Sequence, residues 1–458
     1  MNIMFFCIPA HGHHNPTFPV AAELVKRGNN VRYYSFTEFE EKIRRTGAEF
    51  VSCDKFLPTL SDEEMSALKE VSVTEMTITD LRTTMAMNDF LDKEVTAFEP
   101  DVIVADSVCF WGKLTSRKYK IPLVVSTTTF AFNKHSSGYM KSSPGEILDL
   151  IRGNKRVKEE LKKLNSLGYN EKGIMSLVQS DNYTDTIVYA TKKYQPVAES
   201  FSKHYAFVGP SVFSEMKPQK DKQKPLVYIS MGTVVNDRPN FYTHCIEALK
   251  TEPVDVIISC GKTVDISSLG ELPENIKIQP YVDQLEVLSR ADVFVTHCGM
   301  NSVSESLYMA TPMVLFPQTN EQRAVARRAA EMGAGITLKN DTADDIKNTV
   351  LSVLKEKSYS ENANACSKDF RNAPGAKGAA DFIENAPHLM PDEDKKNIMR
   401  EFLPGILQLV YWAIAIACII IVPRYIPQMK WWVLAIILNV LFGFFRKVTD
   451  KMGFPKQE

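Results

Sequence analysis

The stretch Gln279–Gln322, QPYVDQLEVLSRADVFVTHCGMNSVSESLYMATPMVLFPQTNEQ, constrains the fold of this chain more than any other. Val293–Thr296 is a short apolar run suited to a buried parallel strand. His297-Cys298-Gly299 marks a turn, and Asn301 and Ser302 are good caps for a helix from about Val303, with Glu305 in its first turn. A strand that ends in a glycine turn at a helix N-terminus collects unpaired backbone N–H groups and the positive end of a helix dipole, which together suit a phosphate. His297 stands at the strand end, where a ring N–H reaches toward such a group. Glu305 offers a carboxylate to vicinal hydroxyls such as those of a ribose. A second strand, Met313–Phe316, ends in Pro317, and the carboxylate–amide pair Glu321-Gln322 that follows suits sugar hydroxyls.

The order of these residues resembles the donor-binding signature of family 1 glycosyltransferases, which use UDP-sugars. The family pattern W-x-P-Q, H-C-G-x-N-S-x-x-E, G-V-P, P and D/E-Q is met by Tyr281-Val282-Asp283-Gln284, His297-Cys298-Gly299-Met300-Asn301-Ser302, Glu305, Thr311-Pro312, Pro317 and Glu321-Gln322. Two positions depart from it: Tyr281 replaces the Trp that stacks on uracil, and Asp283 replaces a Pro. The resemblance implies that Tyr281 and Gln284 hold the base and Glu305 the ribose. It places the diphosphate at His297, Gly299, Asn301 and Ser302, and the sugar at Glu321 and Gln322. A small-residue loop, Ser230-Met231-Gly232-Thr233, resembles the family's S-x-G-(S/T) segment and adds Gly232 and Thr233 to the donor site.

At 458 residues the chain is too long for one ordinary domain. A formal net charge of −1 gives no electrostatic case for a nucleic-acid partner. The eight cysteines are scattered without a C-x-x-C pair, so neither a zinc site nor a disulfide framework is indicated, and a reducing compartment fits. Met1–Ile8 lacks a basic flank and reads as a first strand rather than a signal sequence.

That strand, Ile3–Ile8, opens a β–loop–α–β unit whose helix stops at Gly28. The loop contains His11, His13 and His14. An imidazole at a strand-to-helix loop can act as a general base, although a loop histidine is often only a structural hydrogen-bonder, and a His-x-His metal site is a further reading that lacks other ligands. Val102–Ala105 is a strand that delivers Asp106, which either orients that imidazole or caps the helix starting near Phe110. Gly12-His13-His14-Asn15-Pro16 also resembles the family's N-terminal motif, which makes His13 the catalytic base and Asp106 its partner. Thr127, Thr128 and Thr129 end a further strand, Leu123–Ser126, and face the same cleft. Helices are expected between about Leu60 and Phe98.

The expected architecture is α/β of the GT-B type: two Rossmann-like domains, residues 1–213 and 226–388, joined by a Lys- and Pro-bearing linker, 214–225, and facing a cleft. The uncharged stretches Phe402–Val422 and Trp431–Phe445, flanked by basic residues, predict transmembrane helices: a C-terminal membrane hairpin, 402–445, in a lipid bilayer, with the catalytic domains cytoplasmic. The expected reaction is an inverting, metal-independent transfer of a hexose, as from UDP-glucose, to the hydroxyl of a small apolar or lipid-like acceptor. The UDP-sugar is a co-substrate, and no other cofactor and no metal is called for. A sugar-nucleotide epimerase and a non-catalytic UDP-sugar-binding module are the alternatives.

Overall fold

The computed structural model describes residues 1–58, 72–133, 135–139, 144–171, 173, 183–212, 216–220, 224–232, 236–386 and 439. Among them the strands form two all-parallel sheets within one unit, Met1–His388. The first sheet holds β1 (Asn2–Phe6), β2 (Asn30–Ser35), β3 (Glu49–Ser52), β4 (Val102–Asp106), β5 (Leu123–Thr127), β6 (Asp185–Val188) and β7 (Tyr205–Phe207) in the order β3-β2-β1-β4-β5-β6-β7. The second holds β8 (Leu226–Ser230), β9 (Asp255–Ser259), β10 (Ile276–Gln279), β11 (Val293–Thr296), β12 (Met313–Leu315) and β13 (Gly335–Thr337) in the order β10-β9-β8-β11-β12-β13.

Parallel strands need crossover helices, and these cover both faces of each sheet. Hence β4, β8 and β11 are buried at every residue, and their sequences (VIVAD, LVYIS, VFVT) run apolar without alternation. The decisive feature is where the winding reverses. In the first sheet β1 is flanked by β2 and β4, with Phe6 paired to Ala105. In the second, β8 is flanked by β9 and β11, with Ser230 paired to Thr296. Loops that leave the carboxyl ends of such neighbours diverge and open a crevice between them, the usual ligand position of a doubly wound sheet. One crevice receives the loop after β1 and the end of β4, the other the loops after β8 and β11.

Two elements depart from the expected division. The helix Gly375–Glu384, assigned by sequence to the second domain, buries Ala379, Ala380 and Ile383 in the core of the first lobe. It is held there by Arg27, which donates to Asp381 at 2.6 Å and Glu384 at 2.8 Å. The apolar face of that helix is satisfied by the helix Thr17–Lys26, whose own outer face would otherwise be bare. The described part of the linker lies against the second lobe: Lys220 Nζ donates to the Leu288 carbonyl at 2.8 Å and to Thr311 Oγ1 at 2.7 Å. The seven described cysteines are buried and free.

The membrane expectation is not upheld. Among the described residues no helix is long and apolar enough to cross a membrane. The stretches that prompted it, 402–422 and 431–445, lie outside the described residues apart from residue 439.

Candidate active site

In the first lobe, Ala10 ends the β1 loop in extended backbone and a single helical turn, His11–His14, follows. His13 Nδ1 donates to Asp106 Oδ2 at 2.7 Å. Asp106 is the last residue of β4, so the pairing of β1 with β4 sets this distance. Its other oxygen accepts from the Val108 backbone at 3.0 Å, which fixes the carboxylate and leaves no freedom to turn away. Asp106 is fully buried, whereas the His13 side chain remains 28% exposed, with Nε2 as its basic nitrogen. Thr128 Oγ1 lies 3.3 Å from the same Nδ1. Burial alone would lower the His13 pKa, but the charge and hydrogen bond of Asp106 overcome it and raise it above the ordinary value, with Glu321 adding to the rise from the opposite lobe. Glu321 belongs to the first turn of the helix Asn320–Glu331, so this field brings a residue of each lobe to one place.

The neighbouring histidines are different. His14 is fully buried between Cys7 and Ser35, hydrogen-bonded to Ser35 Oγ at 2.6 Å and stacked on Phe39, and burial pushes it down to about 4. It anchors the loop as a neutral ring. His11 pairs with Glu38 at the surface. Among the described residues no group of His, Cys, Asp and Glu is arranged to hold a metal ion.

In the second lobe the helix Met300–Tyr308 begins three residues before the expected start, because Gly299, in extended backbone, serves as its N-cap. Asn301 and Ser302 therefore lie inside the first turn, and their backbone N–H groups point outward without helical partners. Cys298 adopts a left-handed φ of 68°, costly for a non-glycine residue by about 1–2 kcal/mol, and is steadied by its N–H donating to Thr296 Oγ1 at 3.1 Å. The turn delivers the His297 ring between two glycines. A Cβ on Gly232 would sit 2.5 Å from its Cε1 and Nε2, and a Cβ on Gly299 would sit 2.6 Å from Nε2. Gly232 also holds a φ of +78°, so this approach requires glycine twice over. His297 Nδ1 is buried without a hydrogen-bond partner, and burial, opposed by the Ser230 backbone, lowers the ring to about 4. It is a neutral donor or acceptor beside exposed backbone N–H groups. Thr233, the other residue of the expected loop, lies outside the described residues.

Gln284 links residues that the resemblance assigns to the base and to the ribose. Its amide nitrogen donates to Glu305 at 2.6 Å and Ser302 at 3.3 Å, while its oxygen accepts from the Tyr228 hydroxyl at 3.2 Å. Burial raises Glu305 to about 7, with Gln284 pulling it back and Asp283 pushing it further up. Tyr281 is 77% exposed, so its ring face is open for stacking. Asp283 accepts from the Glu286 N–H at 3.1 Å as the N-cap of the helix Gln284–Arg290, which explains how an Asp fills a position where the family pattern has Pro: both start helices.

Gln322 is not simply free for a sugar. Its oxygen accepts from the Gln318 and Thr319 backbones at 2.7 and 3.2 Å in a capping box, leaving only its N–H2 group, while Glu321 is exposed toward the first lobe's histidine. Asn301 is also engaged: its amide donates to the Gly12 carbonyl of the first lobe at 2.8 Å. Sequence reasoning missed Tyr228, whose signal was a hydroxyl in an otherwise apolar strand. It also missed Lys113 and Asp80 beside Asp106. Burial lowers Lys113 to about 8 against the pull of Asp106, and burial, then Asp106, raises Asp80 well above the carboxylate range. No spacing pattern singled out either residue.

Residues 213–376 match the family model described as UDP-glucoronosyl and UDP-glucosyl transferase. The chain is 33% identical over 398 residues to the uncharacterized UDP-glucosyltransferase YojK of Bacillus subtilis (strain 168), an alignment that spans 84% of this chain and 97% of that protein. The chain belongs to the UDP-glycosyltransferase family. Demethyllactenocin mycarosyltransferase of Streptomyces fradiae is 30% identical, over 84% of this chain and 86% of its own length. The solved structure of CalG4, the calicheamicin glycosyltransferase, superposes with a TM-score of 0.68 at 25% identity, over 83% of this chain and 97% of that one. The UDP-glycosyltransferase described here is thus a GT-B enzyme that uses a nucleotide sugar as co-substrate, without a metal. YojK aligns over 97% of its length with 84% of this chain, and among the described residues no helix is long and apolar enough to cross a membrane. The expectation of a membrane-anchored protein with a bilayer partner is therefore corrected.

Proposed function

We propose that this enzyme transfers a hexose from a UDP-sugar, with glucose the favoured sugar, to a hydroxyl of an apolar small molecule, inverting the anomeric centre. The observation that carries this reading is the His13–Asp106 pair, with Glu321 of the donor lobe acting on the same imidazole. His13 Nε2 takes the proton of the acceptor hydroxyl as its oxygen attacks the anomeric carbon. The bond from that carbon to the diphosphate oxygen breaks, and UDP leaves with the electron pair. Asp106 holds the ring and stabilises the imidazolium. The N–H groups opening the helix Met300–Tyr308, the cradle of Gly232 and Gly299, and His297 receive the growing charge of the diphosphate. Gln284 and Glu305 hold the ribose side, Tyr281 stacks on the base, and Glu321 with the remaining Gln322 N–H2 group meets the sugar. The uridine and glucose preference draws support from the relative named a UDP-glucosyltransferase, and the apolar acceptor from relatives named for demethyllactenocin and calicheamicin.

The test incubates the purified full-length protein with 13C-labelled UDP-glucose and a panel of phenols and macrolide alcohols, followed by mass spectrometry and anomeric 13C NMR. A hexose adduct of β configuration, with UDP released only when acceptor is present, supports the reading. An α-configured product or UDP release indifferent to acceptor contradicts it.

A further inference from the structure

The peptide unit joining Gly12 to His13 is held from the other lobe, and the sequence explains why it must be. In a helical turn the carbonyl of residue i is taken by the N–H of residue i+4. In the turn His11–His14 the His11 carbonyl is taken by Asn15 at 3.0 Å. The Gly12 carbonyl would be taken by Pro16, which has no N–H to give. It is therefore an orphan acceptor one bond from the base, and Asn301 Nδ2 supplies the missing donor at 2.8 Å. Asn301 stands in the first turn of the helix Met300–Tyr308, whose N-terminus is the proposed seat of the diphosphate. A Cβ at Gly12 would meet only that amide nitrogen, at an ordinary contact distance of 4.0 Å, so the carbonyl's lack of a helical partner and not the glycine accounts for the contact.

We propose that Asn301 is a positioning residue for His13: its side-chain amide clips the Gly12 carbonyl orphaned by Pro16 and so fixes the base loop against the donor site, in addition to any contact its backbone makes with the donor. The inference rests on the reading of His13 as the base only for its consequence in catalysis; the clip itself is a structural statement that can be tested without turnover.

Hydrogen–deuterium exchange of the segment 10–16 reads the clip, and calorimetric titration with UDP reads the donor site. In Asn301→Ala, segment 10–16 is expected to exchange about three- to tenfold faster, the scale of one ordinary hydrogen bond, in the free and in the UDP-saturated protein alike. Adding Pro16→Ala to Asn301→Ala gives the loop its own N–H for the Gly12 carbonyl and should restore slow exchange. With UDP-glucose and 4-nitrophenol as probes, Asn301→Ala lowers kcat more than it raises KM for the donor. Unchanged exchange in 10–16 would overturn the proposal, whatever the UDP affinity of the variant. Failure of Pro16→Ala to restore exchange in the double variant would also count against it. If instead His13→Ala turns over normally, the catalytic reading fails while the exchange result still decides the clip.

Discussion

His13 and His297 stand at the switch-point crevices of the two lobes. His13 follows β1, the strand at which the first sheet reverses direction, and His297 follows β11, the neighbour of β8 at which the second reverses, and each is largely enclosed. They nevertheless titrate in opposite directions. His13 has Asp106 at 2.7 Å and is raised; His297 has two glycines against its ring, an unpartnered Nδ1 and no carboxylate, and is lowered to about 4. Burial acts the same way on both, so the partner decides. On the roles proposed above, the ring that accepts a proton is the one with a carboxylate, and the ring beside the diphosphate is the one with small neighbours. The consequences for stability differ in sign as well. The His13 contribution is fully present below the ordinary histidine pKa and fades as pH rises through its raised value. The His297 contribution is present above the ordinary pKa and is lost as pH falls from about 6.5 toward 4.

The comparison breaks most sharply at Asp106. Asp106→Asn removes the charge that distinguishes the two rings, so His13 should drop toward the behaviour of His297. We expect kcat to fall by about 10²- to 10⁴-fold and the acid limb of the pH–rate profile to move to lower pH, with UDP binding unaltered. Steady-state kinetics across pH 5–9 measure both, and an unmoved acid limb refutes the assignment. Gly232→Ala attacks the other ring: the new Cβ meets the imidazole at 2.5 Å in a left-handed backbone, so UDP affinity should fall at least about tenfold while the pH profile keeps its shape. A calorimetric titration that shows unchanged affinity would remove the diphosphate from this cradle.

A finer test lies at Glu305. Its pKa of about 7 means that it gains a proton as pH falls through neutrality, and a neutral acid is a weaker acceptor for ribose hydroxyls than a carboxylate. UDP affinity of the wild type should weaken a few-fold between pH 8 and pH 6, and Glu305→Gln should flatten that dependence. The fold itself responds oppositely: the folded state holds a proton that the unfolded chain releases between about pH 4.5 and 7, so stability falls as pH rises across that window. Glu305→Gln should abolish this slope in urea melts.

Much of this was legible before any coordinates. The buried strands announced themselves as unbroken apolar runs, and β8, β10 and β11 lie at the residues expected. The strands β3 and β13 did not: EFVS is a half-exposed edge segment and GIT begins with glycine, so neither carries a hydrophobic pattern long enough to stand out. The pairing of His13 with Asp106 was accessible because both end neighbouring parallel strands. The helix start at Met300 was misjudged because good cap residues, Asn301 and Ser302, follow a glycine that does the capping. The double duties of Gln322 and Asn301 depend on tertiary partners, the Gln318–Thr319 turn and the Gly12 carbonyl, that no local spacing reveals. The apolar stretches at 402–422 and 431–445 show the converse: a strong hydropathy signal gave an expectation of membrane anchoring that the family comparison did not support.

The most direct measurement is the turnover of His13→Ala set beside its affinity for UDP. A protein that binds UDP as the wild type does, yet loses at least about a hundredfold in kcat with UDP-glucose and an accepted alcohol, is the outcome expected of a base that stands apart from the donor cradle. Wild-type turnover in that variant would contradict the account.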